Sequence, residues 1–221
     1  MSGSEDSRSR SAHVMAPHRW RSARILEAVC EVNEHLVSAL IEMARLGSVS
    51  NVVVAQNADA LRHLDAAACK RVARMPVLLL DLHFQGEDWW RNAACANGEY
   101  RASGASALPA NYAAELTRES LVVAWLAVQH ARQGASLLFG MSDSVAGLLG
   151  ELTPAQISRV ADRSSHELRI RWQMKPDFWR KLLAAGQCAN AVDLCEVHLL
   201  GLQLLGGELM RLRCSCLLGI G

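Results

Sequence analysis

Residues 152–183 pass through three successive patterns of apolar and polar positions. Thr153 and Pro154 open a helix, with a hydroxyl at the N-cap and proline at the first helical position. Ile157, Val160 and Ala161 then recur at helical spacing, and Ser164-Ser165 breaks the stripe. Over residues 166–172 the period falls to two. Leu168, Ile170 and Trp172 share one face of the predicted strand, and Arg169 and Arg171 take the other. Pro176 starts a second helix that turns Phe178, Trp179, Leu182 and Leu183 inward.

The same plan occurs 88 positions earlier. Leu64 corresponds to Leu152, Arg71 to Arg159, Val72 to Val160 and Ala73 to Ala161. Leu80, Leu82 and Phe84 correspond to Leu168, Ile170 and Trp172. A slip of one residue then aligns Asp88, Trp89, Trp90 and Arg91 with Asp177, Phe178, Trp179 and Arg180. Self-similarity at a fixed offset predicts one module present twice.

Around these modules the periodicity gives mostly helix. Ile25, Val29, Val32, Leu36, Leu40 and Met43 form one stripe along a long helix over residues 20–46, a length that suits packing against another helix or another copy of the chain. A short Val-rich link then leads to the first module. Residues 97–111, with Gly98, Ser103, Gly104, Ser106 and Pro109, read as a linker. A second long helix covers 113–132. Ser142 caps a short helix around 145–149, and a last, broadly apolar helix runs over about 190–213. The expected division is a disordered tail over 1–19, a first repeat over 20–96, the linker over 97–111, a second repeat with its terminal helix over 112–213, and a tail over 214–221. The expected fold class is mainly α, two tandem helical repeats with one short strand each.

Composition narrows what such a fold does. About half of the 221 residues are hydrophobic (51%), enough for a substantial core. Formal charge is only +1, so nucleic-acid binding would have to come from a local patch. One patch stands out. Residues 152–183 hold Arg159, Arg163, Arg169, Arg171, Lys175, Arg180 and Lys181 against Asp162, Glu167 and Asp177, whereas residues 64–95 carry four charges of each sign. The first set is a candidate DNA-facing surface that would contact phosphates without reading sequence, or else a solvated charged face. The 152–165 segment could also open a helix-turn-helix, but a strand follows where a recognition helix would stand.

Seven cysteines without a secretory signal point to reduced thiols and a cytoplasmic location. The apolar run 197–207 is too short to span a bilayer. Cys188, Cys195, His198, Cys214 and Cys216 fall close in sequence, but no CxxC pair exists and no metal or other cofactor is expected. There is no phosphate-binding Gly-rich loop, no nucleophile elbow and no HExxH, and Asp81 with His83 is the nearest approach to an acid–base pair. An enzyme is not expected. Trp89-Trp90 and Phe178-Trp179 begin short helices, either as core anchors or as a hot spot for a protein partner.

Residues 134–183 resemble the core of the FlhD-type flagellar transcriptional activators. The matching pieces are the turn Leu138-Phe139-Gly140-Met141, the helix opening Leu152-Thr153-Pro154-Ala155-Gln156, and the basic-aromatic strand Arg169-Ile170-Arg171-Trp172. Residues 25–94 resemble a second, degraded copy. The resemblance implies helical, dimeric subunits that join a zinc-containing FlhC-type partner on promoter DNA, for flagellar or conjugative-transfer genes. Family members are about half this length, so a tandem copy would supply a pseudo-dimer in one chain. Two departures stand out. Leu80 and Leu168 occupy the strand position where the family often has a subunit-linking cysteine, and the chain has no DNA-reading module of its own. The expected function is therefore a transcription-activator subunit acting with an FlhC-like partner and DNA, without a membrane and with self-association open. The rival is a non-DNA-binding adaptor or chaperone in a flagellar or secretion system.

Overall fold

The computed structural model describes residues 17–94 and 106–218. The expected N-terminal tail up to residue 16, the linker up to residue 105 and the last three residues lie outside the described residues. Helix α1 spans Pro17–Arg45, α2 Val52–Arg62 and α3 Ala66–Ala73; strand β1 is Leu80–Asp81, and α4 is Glu87–Ala94. Then come α5 (Ala110–Phe139), α6 (Asp143–Glu151), α7 (Pro154–Ser164), strand β2 (Arg169–Ile170), α8 (Pro176–Cys188) and α9 (Ala191–Leu218). The fold is mainly helical, with one two-stranded sheet among the described residues. The order long helix, two short helices, strand, helix occurs twice.

Local chemistry sets these elements. Asp65 accepts the Ala68 amide at 2.6 Å and caps α3. Thr153, 88 positions on, caps α7 in a capping box with Gln156, whose side chain reaches back to the Thr153 amide at 2.8 Å. Gly140 ends α5 in a left-handed conformation (φ 60°), and Ser142 caps α6 through the Val145 amide. The Val-rich link is itself a helix, α2. Asn51 starts it by accepting from the Val53 and Val54 amides at 2.9 and 3.2 Å. Both long helices run past their expected bounds, α5 through a kink at Ala131 and α9 to Leu218, so the expected tail from residue 214 begins as helix.

β1 and β2 pair antiparallel, Leu80 opposite Ile170 and Asp81 opposite Arg169. Each strand is only two residues long. Residues 165–167 form a turn of 3-10 helix before β2, and the chain leaves the strands through left-handed residues, His83 (φ 50°) after β1 and Trp172 (φ 55°) after β2. Leu80, Leu82, Phe84, Leu168, Ile170 and Trp172 are all buried, as the alternation predicts.

The two halves share their core. Helix α4 of the first half packs on α6 and α7 of the second, while α8 of the second packs on α2 and α3 of the first. Each half thus gives its post-strand helix to the other. Main-chain bonds stitch the exchange: the Leu78 amide donates to the Leu138 carbonyl at 2.8 Å, and the Ser142 amide to Phe84 at 3.0 Å. Helices α1 and α5 lie side by side, and α9 packs on α8. Fully buried Asn33 of α1 fixes the approach to β1, donating to the carbonyls of Ala73, Met75 and Val77 and accepting from the Leu79 amide at 2.9 Å.

Candidate functional site

Several buried polar contacts gather at the strand pair. Trp90 and Trp179 are completely buried, and each indole N–H donates at 3.1 Å to a main-chain carbonyl just beyond its strand, His83 and Arg171 respectively. Those two acceptors are again 88 positions apart. Trp89 donates to Glu167 at 2.9 Å and stacks on His83, whose Nε2 lies 2.8 Å from the same carboxylate. Phe178 sits edge-on to Trp172. The four aromatic residues considered for partner binding, Trp89, Trp90, Phe178 and Trp179, are at most 8% exposed. They anchor the core and offer no surface to a partner, because the exchanged helices α4 and α8 press their first turns into the opposite half.

Arg171 also departs from expectation. Alternation places it opposite the apolar face with Arg169, but Arg169 is exposed while Arg171, just past β2, is covered. Its Nη2 donates to the Phe139 carbonyl at 2.8 Å, where α5 ends, and to the Leu80 carbonyl at 3.3 Å. Asp81 lies 3.4 Å and Glu208 3.3 Å from the same guanidinium. Glu208 reaches in from α9 and also accepts from the Trp172 indole at 2.8 Å. Arg171 is therefore a buried structural cation that ties α5, both strands and α9 together. It is removed from the DNA-facing set.

The other six basic residues are exposed but not gathered in one place. Arg159 and Arg163 lie on α7. Arg180, paired with Asp177 one turn away, and Lys181 lie on α8. Arg169 and Lys175 join a cleft of about 610 Å³ over the strand pair, with Arg171, Asp81 and Glu208 along its lining. Arg211 of α9 completes that lining and was not singled out by the sequence pattern, since it falls far outside the repeated module. The cleft's two carboxylates are both within ion-pair distance of Arg171, so Arg169, Lys175 and Arg211 leave its mouth positive.

The described thiols lie away from the cleft. Cys188 and Cys195 are exposed. Burial pushes the Cys30 and Cys69 thiols above their ordinary range, which keeps them protonated and unreactive. Among the described residues no three His, Cys, Asp or Glu side chains form a group able to hold a metal, and no helix is long and apolar enough to cross a membrane.

Compared with protein-family models, curated proteins and solved structures, the chain matches none. The fold and site define a mainly helical protein whose halves exchange helices about a two-stranded ladder, with a cationic cleft on that ladder.

Proposed function

We propose that the chain is a subunit of a bacterial transcription activator, an FlhD-like protein holding both halves of a dimer in one polypeptide and acting with an FlhC-type partner on promoter DNA. One observation carries the reading. Asp81 and Arg169, separated by the 88-residue repeat offset, face each other in the ladder, as equivalent residues do on a twofold axis. The caps Asp65 and Thr153 keep the same relation, and so do the His83 and Arg171 carbonyls that accept from the Trp90 and Trp179 indoles. A doubled module arranged in this way is what a fused dimer of the resembling family would look like. In this reading Arg169 and Lys175 meet phosphates at the cleft, with Arg159, Arg163, Arg180 and Lys181 adding charge along α7 and α8.

The rival, an adaptor or chaperone that does not bind DNA, draws support from the exposed apolar side chains of α9. Co-expression with an FlhC-type protein separates the two. Co-purification of a zinc-containing complex that shifts promoter DNA supports the activator. Tight binding to a secreted or flagellar protein, with no shift of DNA, supports the rival.

A further inference from the structure

The cleft of about 610 Å³ over the strand pair is walled by equivalent positions of both modules. Asp81 and Arg169, His83 and Arg171, and Gln85 and Gln173 each stand 88 residues apart, and all six line it. His83 and Trp172, the left-handed residues after each strand, also lie in the lining, so the cleft sits where both strands turn away. Its volume is that of a pocket for a small molecule.

The two modules match there in position and not in charge. The first contributes an acid and an imidazole, the second two arginines and Lys175, and α9 adds Glu208 and Arg211. Asp81 and Glu208 lie 3.4 and 3.3 Å from Arg171, and the His83 imidazole lies 2.8 Å from buried Glu167. Arg169, Lys175 and Arg211 are exposed at the mouth, where they suit an anion.

The interior adds a second requirement. The Arg171 side chain is only 4% exposed. Its Nη1 donates to Glu208 and its Nη2 to Asp81 and two main-chain carbonyls, while its Nε has no hydrogen-bond partner. The side-chain oxygen of Gln173, two residues on, is likewise buried and unpartnered. Buried polar groups are almost always bonded. A donor and an acceptor left over in one lining match hydroxyl groups, which accept from the first and donate to the second.

We propose that the cleft binds a small hydroxyl-bearing phosphate ester, of the sugar-phosphate or nucleotide class. The phosphate sits among Arg169, Lys175 and Arg211, held by charge-assisted bonds from guanidinium and ammonium groups. The hydroxyls reach Arg171 and Gln173. This binding stands apart from the activator reading, since the backbone of duplex DNA meets the exposed cations and not the buried pair. Only its consequence rests on that reading: the ester and promoter phosphates compete for Arg169 and Lys175.

The test is isothermal titration calorimetry of the full chain with ribose 5-phosphate, glucose 6-phosphate and AMP, beside inorganic phosphate, citrate and ribose. At least one ester is expected to saturate one site per chain with Kd below about 1 mM. Inorganic phosphate and ribose, each carrying one of the two groups, bind at least about tenfold more weakly. Arg169→Gln with Lys175→Gln, at exposed positions, keeps the thermal transition and weakens the ester about tenfold or more. Gln173→Leu leaves inorganic phosphate unchanged and removes the ester's advantage over it. Saturation by no ester overturns the proposal, as does an ester indifferent to R169Q/K175Q. Inorganic phosphate binding as tightly as every ester marks an adventitious ion only and overturns it too, and citrate binding more tightly than any ester assigns the cleft to carboxylates instead. Ester binding by a chain that shifts no promoter DNA with its partner overturns the activator reading and leaves this one standing.

Discussion

Asp81 and Arg169 stand opposite each other at the centre of the only ladder among the described residues, and the chain between them is one repeat long. Around that pair each half lends the other its post-strand helix, α4 packing on α6 and α7 and α8 on α2 and α3, with α9 also against α8. The buried residues of the two halves form one continuous core.

Separate expression of residues 1–105 and 106–221 tests this sharing. Each fragment alone is expected to lack a cooperative thermal transition, and the mixture to regain one. Cooperative unfolding of either fragment alone would contradict the exchange.

Arg171→Met keeps much of the side-chain volume while removing the cation that Asp81, Glu208 and two main-chain carbonyls surround. Losing one partner from such a buried cluster costs about 3 kcal/mol. Urea denaturation is expected to show that loss with an unchanged slope. Arg169→Met, at an exposed neighbour, is expected to change stability by less than about 0.5 kcal/mol.

Asn33→Leu leaves the carbonyls of Ala73, Met75 and Val77 and the amide of Leu79 without their side-chain partner. The expected cost is about 2 kcal/mol, read from the same denaturation curves. Amide exchange at Leu79 should rise with it.

Burial holds the His198 imidazole on α9 below its ordinary value, and its Nε2 finds no hydrogen-bond partner. A histidine depressed in the folded state stays neutral where the unfolded chain takes a proton. Stability from this group is therefore present above the unfolded value of about 6.5 and is lost as pH falls below it. His198→Leu should become more stable relative to the parent as pH drops from about 7 to 5. A pH-independent difference between the two proteins would contradict this.

Much of the arrangement was legible in the chain because it rests on local signals. The caps at Thr153 and Ser142, the inward faces of both strands and the buried positions of the repeated module follow from spacing alone. The role of Arg171 did not, because alternation gives a side chain's direction and not what covers it; the cover here comes from the end of α5 and from Glu208 within α9, far off in sequence. The aromatic pairs looked equally suited to core or partner, and only the helix exchange places them inside. Helix α2 was missed because its β-branched start, Val52 to Val54, weakens the helical signal that Asn51 supplies as a cap. Arg211 entered the cleft through tertiary packing of α9, with no local sequence mark.

The most direct test of the activator reading is the salt dependence of promoter binding by the complex with an FlhC-type partner. The parent complex is expected to bind with log K falling linearly against log salt. Arg169→Gln with Lys175→Gln, both at the cleft mouth, should reduce the steepness of that line by about 2 while leaving complex formation intact. An unchanged slope, or a complex that forms and binds no promoter at low salt, would contradict it.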